Sequence, residues 1–228
     1  MTVLILAESW DTGASAVARG VVARRGPGSV AGLAPHQLAT AQRWVHRVSP
    51  RGETETEIVT ADGRRLDSAT VTAVLNRIDG IPPIRFSRSP ARDHDYAGME
   101  LHALFVSWLA GLSAPVLNPV TGIGPAHLRP GRHWLTAARR AGLPLARFGW
   151  SPGSQVGEVL VVGEHAHGSL AARFGGGCLE VARDTGCPLL EFRFARAGGA
   201  VALAGVSARP GLQAPAAAAA VAEFLAQS

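Results

Sequence analysis

The chain has 228 residues and a mass of 23.6 kDa, which corresponds to one large domain or two small ones packed together. Hydrophobic residues make up 47% of the chain and charged residues only 17%, a balance that excludes a disordered protein. All 22 basic residues are arginine, because the sequence contains no lysine, and with 17 acidic residues they leave a formal net charge of +5. This modest positive charge argues against a nucleic-acid-binding protein.

Neither a membrane segment nor an export signal is recognisable in the sequence. No apolar run reaches the length of a membrane span, and residues 1–9 lack the basic start of a signal peptide. We therefore expect a cytoplasmic protein without membrane contact. Cys178 and Cys187 lie nine residues apart, a spacing that matches no metal or redox motif, so we predict two buried free thiols.

The first third of the chain alternates apolar segments with a helical pattern. Residues 3–7 predict a short buried strand, and the small and apolar residues at 13–24 predict the helix after it. Further strands are predicted, in chain order, at 29–33, 44–48, 54–60, 64–66 and 72–78. The last of these carries Asn76 and Arg77 near its end, where ligand-facing residues often occur in open α/β sheets. Alternatively, Arg77 pairs with Asp79 or Asp93.

A connector rich in proline and arginine follows at residues 79–92. This composition is typical of a boundary between domains. We therefore predict an N-terminal lobe at residues 1–85 and a C-terminal lobe at residues 86–228.

The strongest helical pattern of the chain covers residues 93–112. Its apolar side is predicted to carry Tyr96, Met99, Ala103, Val106 and Leu109 or Ala110. Asp93, Tyr96 and Glu100 share one stripe of this helix, so we expect them to face a cleft between the lobes. The alternative is that Asp93 caps the helix and that the three residues form a solvated face.

The remaining elements alternate between strand and helix patterns, separated by turns. They are predicted as a strand at 115–118, a helix at 131–141, a strand at 156–163, a glycine-rich connection at 165–177, a short helix at 179–185, strands at 189–194 and 201–206, and a helix at 215–227. Proline in the first turn and several alanines favour the last helix.

Seven local patterns together span nearly the whole chain. They are VLNR at 74–77, DHDYA at 93–97 followed by Glu100, APVLN at 114–118, AGLP at 141–144, VLVVG at 159–163, LLEF at 189–192 and GVSARPG at 205–211. Their order resembles the ATP-grasp ligases, in particular the bacterial glutathione-synthetase-like and peptide-modifying branch. The resemblance implies an α/β fold in which a Rossmann-like lobe packs on an ATP-grasp-like α+β lobe.

Two features of that family are missing here, and the first is the mobile lid subdomain. The family joins a carboxylate to an amine through an acyl phosphate, and the lid supplies lysines that contact the nucleotide. The lid would follow Leu145, but only residues 146–155 separate Leu145 from the strand predicted at 156–163. We therefore predict a truncated C-terminal lobe without the lid. Arginine is a poor replacement for the missing lysines, because its forked head differs from a compact ammonium group.

The second missing feature is the metal site. A ligase of this type has an acidic residue, one spacer and an asparagine near its end, because Mg²⁺ on the phosphates needs oxygen ligands. By resemblance, the matching positions are Gly205 and Ser207, and Glu191 matches the other acidic ligand. Glycine offers no side-chain oxygen, so we predict no metal, no cofactor and no ATP-dependent ligase activity.

These features together predict a non-catalytic, ATP-grasp-like binding or partner subunit, which the resemblance places in peptide modification or natural-product biosynthesis. The expected partner is a protein or peptide, such as a ligase of the same pathway. Surface exposed by loss of the lid favours a homo-oligomer, for example a dimer. The alternative is an ATP-independent enzyme that acts on a small carboxylate or phosphate in the cleft. The predicted cleft residues are Asn76, Arg77, Asp93, Tyr96, Glu100, Asn118 and Arg209.

Overall fold

The computed structural model describes residues 1–121, 124–146, 155–197 and 199–228. The helices in this part of the chain are α1 (Thr12–Arg25), α2 (Pro35–Ala39), α3 (Ala91–Ala110), α4 (Gly131–Arg140), α5 (Ala171–Thr185) and α6 (Pro215–Gln227). The strands are β1 (Thr2–Leu6), β2 (Val30–Leu33), β3 (Arg43–Val48), β4 (Thr54–Val59), β5 (Arg65–Asp67), β6 (Val71–Asn76), β7 (Val116–Leu117), β8 (Val120–Thr121), β9 (Gly124–Pro125), β10 (Gln155–Val162), β11 (His165–His167), β12 (Leu189–Ala197) and β13 (Ala200–Ser207).

A four-stranded parallel sheet organises the first part of the chain, in the order β2, β1, β6, β7. Val3 and Leu4 of β1 are fully buried, as are Val74 and Leu75 of β6. Continuous apolar runs of this kind are typical of parallel strands that are covered on both faces. The strand and helix predicted at the start of the chain are confirmed by β1 and α1.

An antiparallel sheet organises the last part, in the order β11, β10, β12, β13. One face packs against α4 and α5, where the Phe174 and Phe194 rings stack with centroids 4.4 Å apart. The other face places Leu160 and Leu189 in one core with β1, α1 and α6. The two sheets therefore share a hydrophobic core, and the expected α/β class is confirmed.

A smaller antiparallel sheet of β3, β4 and β5 lies against α3. Trp44 of β3 meets Trp108 of α3 edge to face at 5.2 Å, and Phe105 and Trp108 are almost completely buried. Tyr96 and Met99, in contrast, are 60% and 63% exposed. The predicted apolar side of this helix is therefore confirmed at Val106 and Leu109, which pack in the core, and wrong at Tyr96 and Met99.

Sheet pairing crosses the predicted boundary after residue 85. Strand β7 belongs to the C-terminal part but pairs in parallel with β6 of the N-terminal part. Within the connector, Arg85 donates to the carbonyl oxygens of Thr40 and Ala41 at 2.9 and 2.8 Å. The division into lobes at 1–85 and 86–228 stays a prediction.

The glycine-rich segment differs from the expectation, because residues 165–177 are not a connection. They form β11 and the first half of α5, which begins at Ala171. A Cβ atom on Gly177 would stand 2.7 Å from Leu143, so a side chain there would collide with the segment after α4. Close packing outweighs the low helix propensity of glycine. None of the described helices is long and apolar enough to cross a membrane.

The two cysteines are free and buried, as predicted. Burial raises the pKa of Cys178 to about 12. It also raises the pKa of Cys187, although the charge of Arg129 and a hydrogen bond to Thr185 act in the opposite direction. Both thiols therefore stay protonated near neutral pH and belong to the hydrophobic core.

Candidate functional site

Two asparagines join the carboxyl ends of β6 and β7. The Asn76 amide donates to the Asn118 carbonyl oxygen at 3.2 Å, and the Asn118 amide donates to the Asn76 carbonyl oxygen at 3.0 Å. Both residues are fully buried. Asn118 has φ of 62°, in the left-handed region that asparagine tolerates better than most residues. This asparagine pair holds the ends of β6 and β7 together, and the charged residues of the site lie next to it.

Arg77 and Asp11 form a buried ion pair beside the two asparagines. The Arg77 Nε donates to Asp11 Oδ2 at 2.7 Å, and its Nη1 donates to the carbonyl oxygen of Pro210 at 3.0 Å. Their side chains are only 6% and 10% exposed. The sequence suggested Asp79 or Asp93 as the ion-pair partner of Arg77. In the structure the partner is Asp11. One guanidinium thus connects three distant segments of the chain.

Asp11 is also the N-cap of α1, and this fixes its charge. Its Oδ1 accepts a hydrogen bond from the Ala14 N–H at 2.9 Å. Burial raises the pKa of the Asp11 carboxyl. The hydrogen bonds from Ala14 and Arg77, together with the charges of Arg77 and Arg209, outweigh burial and hold the pKa below its ordinary value. Asp11 therefore stays ionised at neutral pH.

A second cluster surrounds Asp79, just beyond β6. Its Oδ1 accepts from His127 Nε2 at 2.6 Å and from Arg209 Nη1 at 3.1 Å. His127 is only 7% exposed in its side chain, and its Nδ1 is buried without a hydrogen-bond partner among the described residues. Asp79 is 62% exposed, so this cluster opens to solvent where the Asp11 pair does not.

Two grooves meet at these residues. A groove of about 470 Å³ is lined in part by Arg77, Asp79 and Arg209. A larger groove of about 740 Å³ runs along α3 and has a mostly apolar lining. Pro83 and His102 line both, so the charged groove continues into the apolar one. Together they form a surface with one polar end and one apolar end.

The predicted cleft residues divide into two groups. Asn76, Arg77, Asn118 and Arg209 come together in the polar clusters. Asp93, Tyr96 and Glu100 lie exposed on α3, and none of them is among the described residues that line these two grooves. Helical spacing identifies a stripe but not the direction in which it points.

Three members of the clusters were missed from the sequence. Asp11 follows the first strand and precedes the first helix, a position where both helix capping and strand-end sites place acidic residues. Asp79 belongs to the same strand end as Asn76. His127 had no local signal, since it lies in a short 3-10 turn and meets Asp79 only through the fold.

The residues at the expected metal position do not fit Mg²⁺. Pairing of β12 with β13 sets Glu191 opposite Ser207 and Arg193 opposite Gly205. Glu191 Oε2 accepts from the Gly211 N–H, and Ser207 Oγ accepts from the Arg209 N–H, both at 3.1 Å. One carboxylate and one hydroxyl beside a guanidinium are a poor ligand set for Mg²⁺. The described residues contain no cluster of three or more His, Cys, Asp or Glu that could hold a metal ion.

The fold is that of ATP-grasp ligases, at low sequence identity. The chain is similar to macrocyclase MdnC from Microcystis aeruginosa MRC, bound with precursor peptide MdnA, at 14% identity and a TM-score of 0.75, covering 100% of both chains. It is also similar to a Chryseobacterium gregarium RiPP-associated ATP-grasp ligase in complex with ADP and a leader and core peptide, at 12% identity and a TM-score of 0.73, covering 100% of this chain and 97% of that one. A third similar structure is ATP-grasp ligase PsnB complexed with minimal precursor, at 13% identity and a TM-score of 0.69, covering 99% of this chain and 97% of that one.

These comparisons confirm the predicted resemblance at the level of the fold. No protein-family model and no curated protein matches the sequence. The predicted absence of the lid rests mainly on residues 147–154, which lie outside the described residues.

Proposed function

We propose that this chain is a non-catalytic, ATP-grasp-like subunit that binds a peptide or protein partner in peptide modification or natural-product biosynthesis. The fold supports this role, since similar structures include ligases crystallised with precursor peptides. The partner is a protein or peptide, such as a ligase of the same pathway, and the subunit itself forms a homo-oligomer in the cytoplasm.

The composition of the metal position carries the non-catalytic part of the proposal. Phosphoryl transfer from ATP depends on Mg²⁺ and on cations that neutralise the phosphates. Here Gly205 and Ser207 stand where the resemblance implies metal ligands, Arg193 lies opposite Gly205, and the chain has no lysine. A site of this composition supports binding better than it supports ligation.

The state of the polar clusters supports the same conclusion. Arg77 and Asp11 neutralise one another in a buried pair, while Arg209 and His127 share Asp79. Groups held in this way stabilise the contact between the two parts of the chain. The apolar groove along α3 begins beside them, and its lining suits the apolar side chains of a peptide.

A titration with nucleotide tests this proposal directly. We expect Mg²⁺ to add nothing to the effect of ATP or ADP on the melting temperature of the full chain or on the heat released in calorimetry. A Mg²⁺-dependent rise with ATP would overturn the non-catalytic role. Light scattering after size-exclusion chromatography tests the homo-oligomer. A mass of one chain would contradict the proposed self-association.

The pair of Asp79 and His127 favours a second candidate function. A carboxylate 2.6 Å from an imidazole orients the ring, as in many sites of general acid and base catalysis. The chain would then be an ATP-independent enzyme acting on a small carboxylate or phosphate. Hydrolysis of p-nitrophenyl phosphate that is lost in His127→Gln and retained in His133→Gln would favour the enzyme. If the wild type does not hydrolyse p-nitrophenyl phosphate, this assay does not support an enzyme.

A further inference from the structure

Arg193 occupies an unusual position in the antiparallel sheet. The pairing of β12 with β13 changes register directly after Arg193, and the pairing of β10 with β12 changes register between Gln155 and Gly157. Bulges of this kind bend a strand and change the direction of a side chain, and they are frequent beside functional sites. Both changes of register therefore lie close to Arg193 and to its cross-strand neighbours, Glu158 and Gly205.

Gly205 leaves room for the Arg193 side chain. A Cβ atom on Gly205 would stand 3.6 Å from Arg193 Nη2 and 4.0 Å from its Nε. The guanidinium therefore lies over the glycine, at the position where the resemblance implies an acidic metal ligand. A positive charge from the opposite strand therefore lies beside the position where the resemblance implies a metal-binding carboxylate.

Within the described part of the chain, Arg193 donates no hydrogen bond to a carboxylate, although Glu158 lies directly opposite it on β10. The carboxylate paired with it, Glu191, has its Oε1 3.9 Å from Arg193 Nε, which is too far for a hydrogen bond. Arg193 Nε is buried and has no hydrogen-bond partner among the described residues. The side chain as a whole is 43% exposed, so a ligand from solvent can reach it.

We propose that this corner of the sheet binds an oxyanion, either a phosphate group or a carboxylate, directly on the Arg193 guanidinium and without a divalent metal. The planar guanidinium presents two parallel N–H groups that match two oxygens of either anion. The hydroxyl of Ser207, two residues along β13 from Gly205, supplies a further donor on the same face of the sheet. This site is independent of the proposed role in peptide binding.

Calorimetric titration of the full chain tests the site. The probes are sodium phosphate and sodium succinate, each in EDTA and each repeated with MgCl₂. We expect saturable binding of at least one probe that is equally strong in EDTA, and the stronger probe identifies the preferred oxyanion. Arg193→Gln should weaken binding by about tenfold or more, because a charge-assisted hydrogen bond is lost. Arg196→Gln, on the exposed part of the same strand, is the matched control and should leave affinity unchanged.

Gly205→Asp gives a second test that does not remove the arginine. A Cβ atom 3.6 Å from Arg193 Nη2 is in ordinary van der Waals contact, so the fold should accept the new side chain. Its carboxylate should neutralise Arg193, abolish oxyanion binding and leave the melting temperature unchanged or higher. No binding of either probe by the wild type, binding that requires Mg²⁺, or equal losses in Arg193→Gln and Arg196→Gln would each overturn the site. Because the nucleotide and light-scattering tests of the proposed function use other probes, the two can fail separately.

Discussion

Arg77 and Arg193 carry the same charge in neighbouring parts of the molecule, but their surroundings differ. Arg77 is 6% exposed and has a carboxylate oxygen at 2.7 Å and a carbonyl oxygen at 3.0 Å. Arg193 is 43% exposed, and its Nε lies 3.9 Å from the Glu191 carboxylate. The first arginine is therefore part of the structure, and the second has charge left for a ligand. Burial and partner geometry distinguish the two roles, although residue type and charge do not.

Removing Arg77 should have the largest effect on stability. Arg77→Met leaves the Asp11 carboxylate buried without its cation, which costs about 3–5 kcal/mol in the free energy of unfolding. Urea denaturation measures this loss, and Arg196→Met on the exposed strand is the control. A loss below about 1 kcal/mol would mean that the pair does not hold the two parts together.

The pH dependence of stability should report the same pair. Because the pKa of Asp11 is lowered in the folded state, its contribution is complete above the unfolded value of 3.8 and is lost as the pH falls through the folded pKa. Between pH 6 and pH 2, the wild type should therefore lose more free energy of unfolding than Asp11→Asn does. Parallel curves from urea melts across this range would contradict the assignment.

Asn118 allows backbone strain to be separated from hydrogen bonding. Asn118→Ala should destabilise the fold by about 2 kcal/mol, because alanine is strained at positive φ and cannot donate to Asn76. Asn118→Gly loses only the hydrogen bond, so we expect about half of that effect. Equal losses in the two variants, measured by urea melts, would show that the backbone conformation contributes little.

Removing Arg193 should have the smallest effect on stability. Its weak contact with Glu191 predicts a change below about 0.5 kcal/mol in Arg193→Met. Thermal and urea melts measure this change alongside Arg77→Met. A loss comparable to that of Arg77→Met would show that Arg193 is structural, and the contrast between the two arginines would disappear.

Much of the fold could be predicted from the sequence, since local patterns determine many of its elements. The apolar run in β1 and the spacing in α1 predicted both correctly. Residues 165–177 could not be predicted as strand and helix, because the close contacts of Gly175 with Ala166 and of Gly177 with Leu143 arise only in the fold. For the same reason, the buried face of α3 depends on the position of Trp44, which follows from the fold alone.

The candidate site was less predictable, because its contacts join distant segments. Asn76 and Asn118 share a strand-end position that the sequence indicates. Asp11 and Arg77, in contrast, are 66 residues apart, and only the parallel pairing of β1 with β6 brings them together. Arg193 had no sequence signal of its own, because its role depends on the glycine across the sheet.

The packing of α6 against α1 has a consequence for synthesis on the ribosome. A Cβ atom on Gly20 of α1 would stand 2.7 Å from the Ala222 side chain of α6, so the two helices touch closely. These helices are separated by most of the chain, and contacts over such long separations form slowly. The apolar face of α1 therefore stays open to chaperones and to aggregation until residues 215–227 have left the exit tunnel.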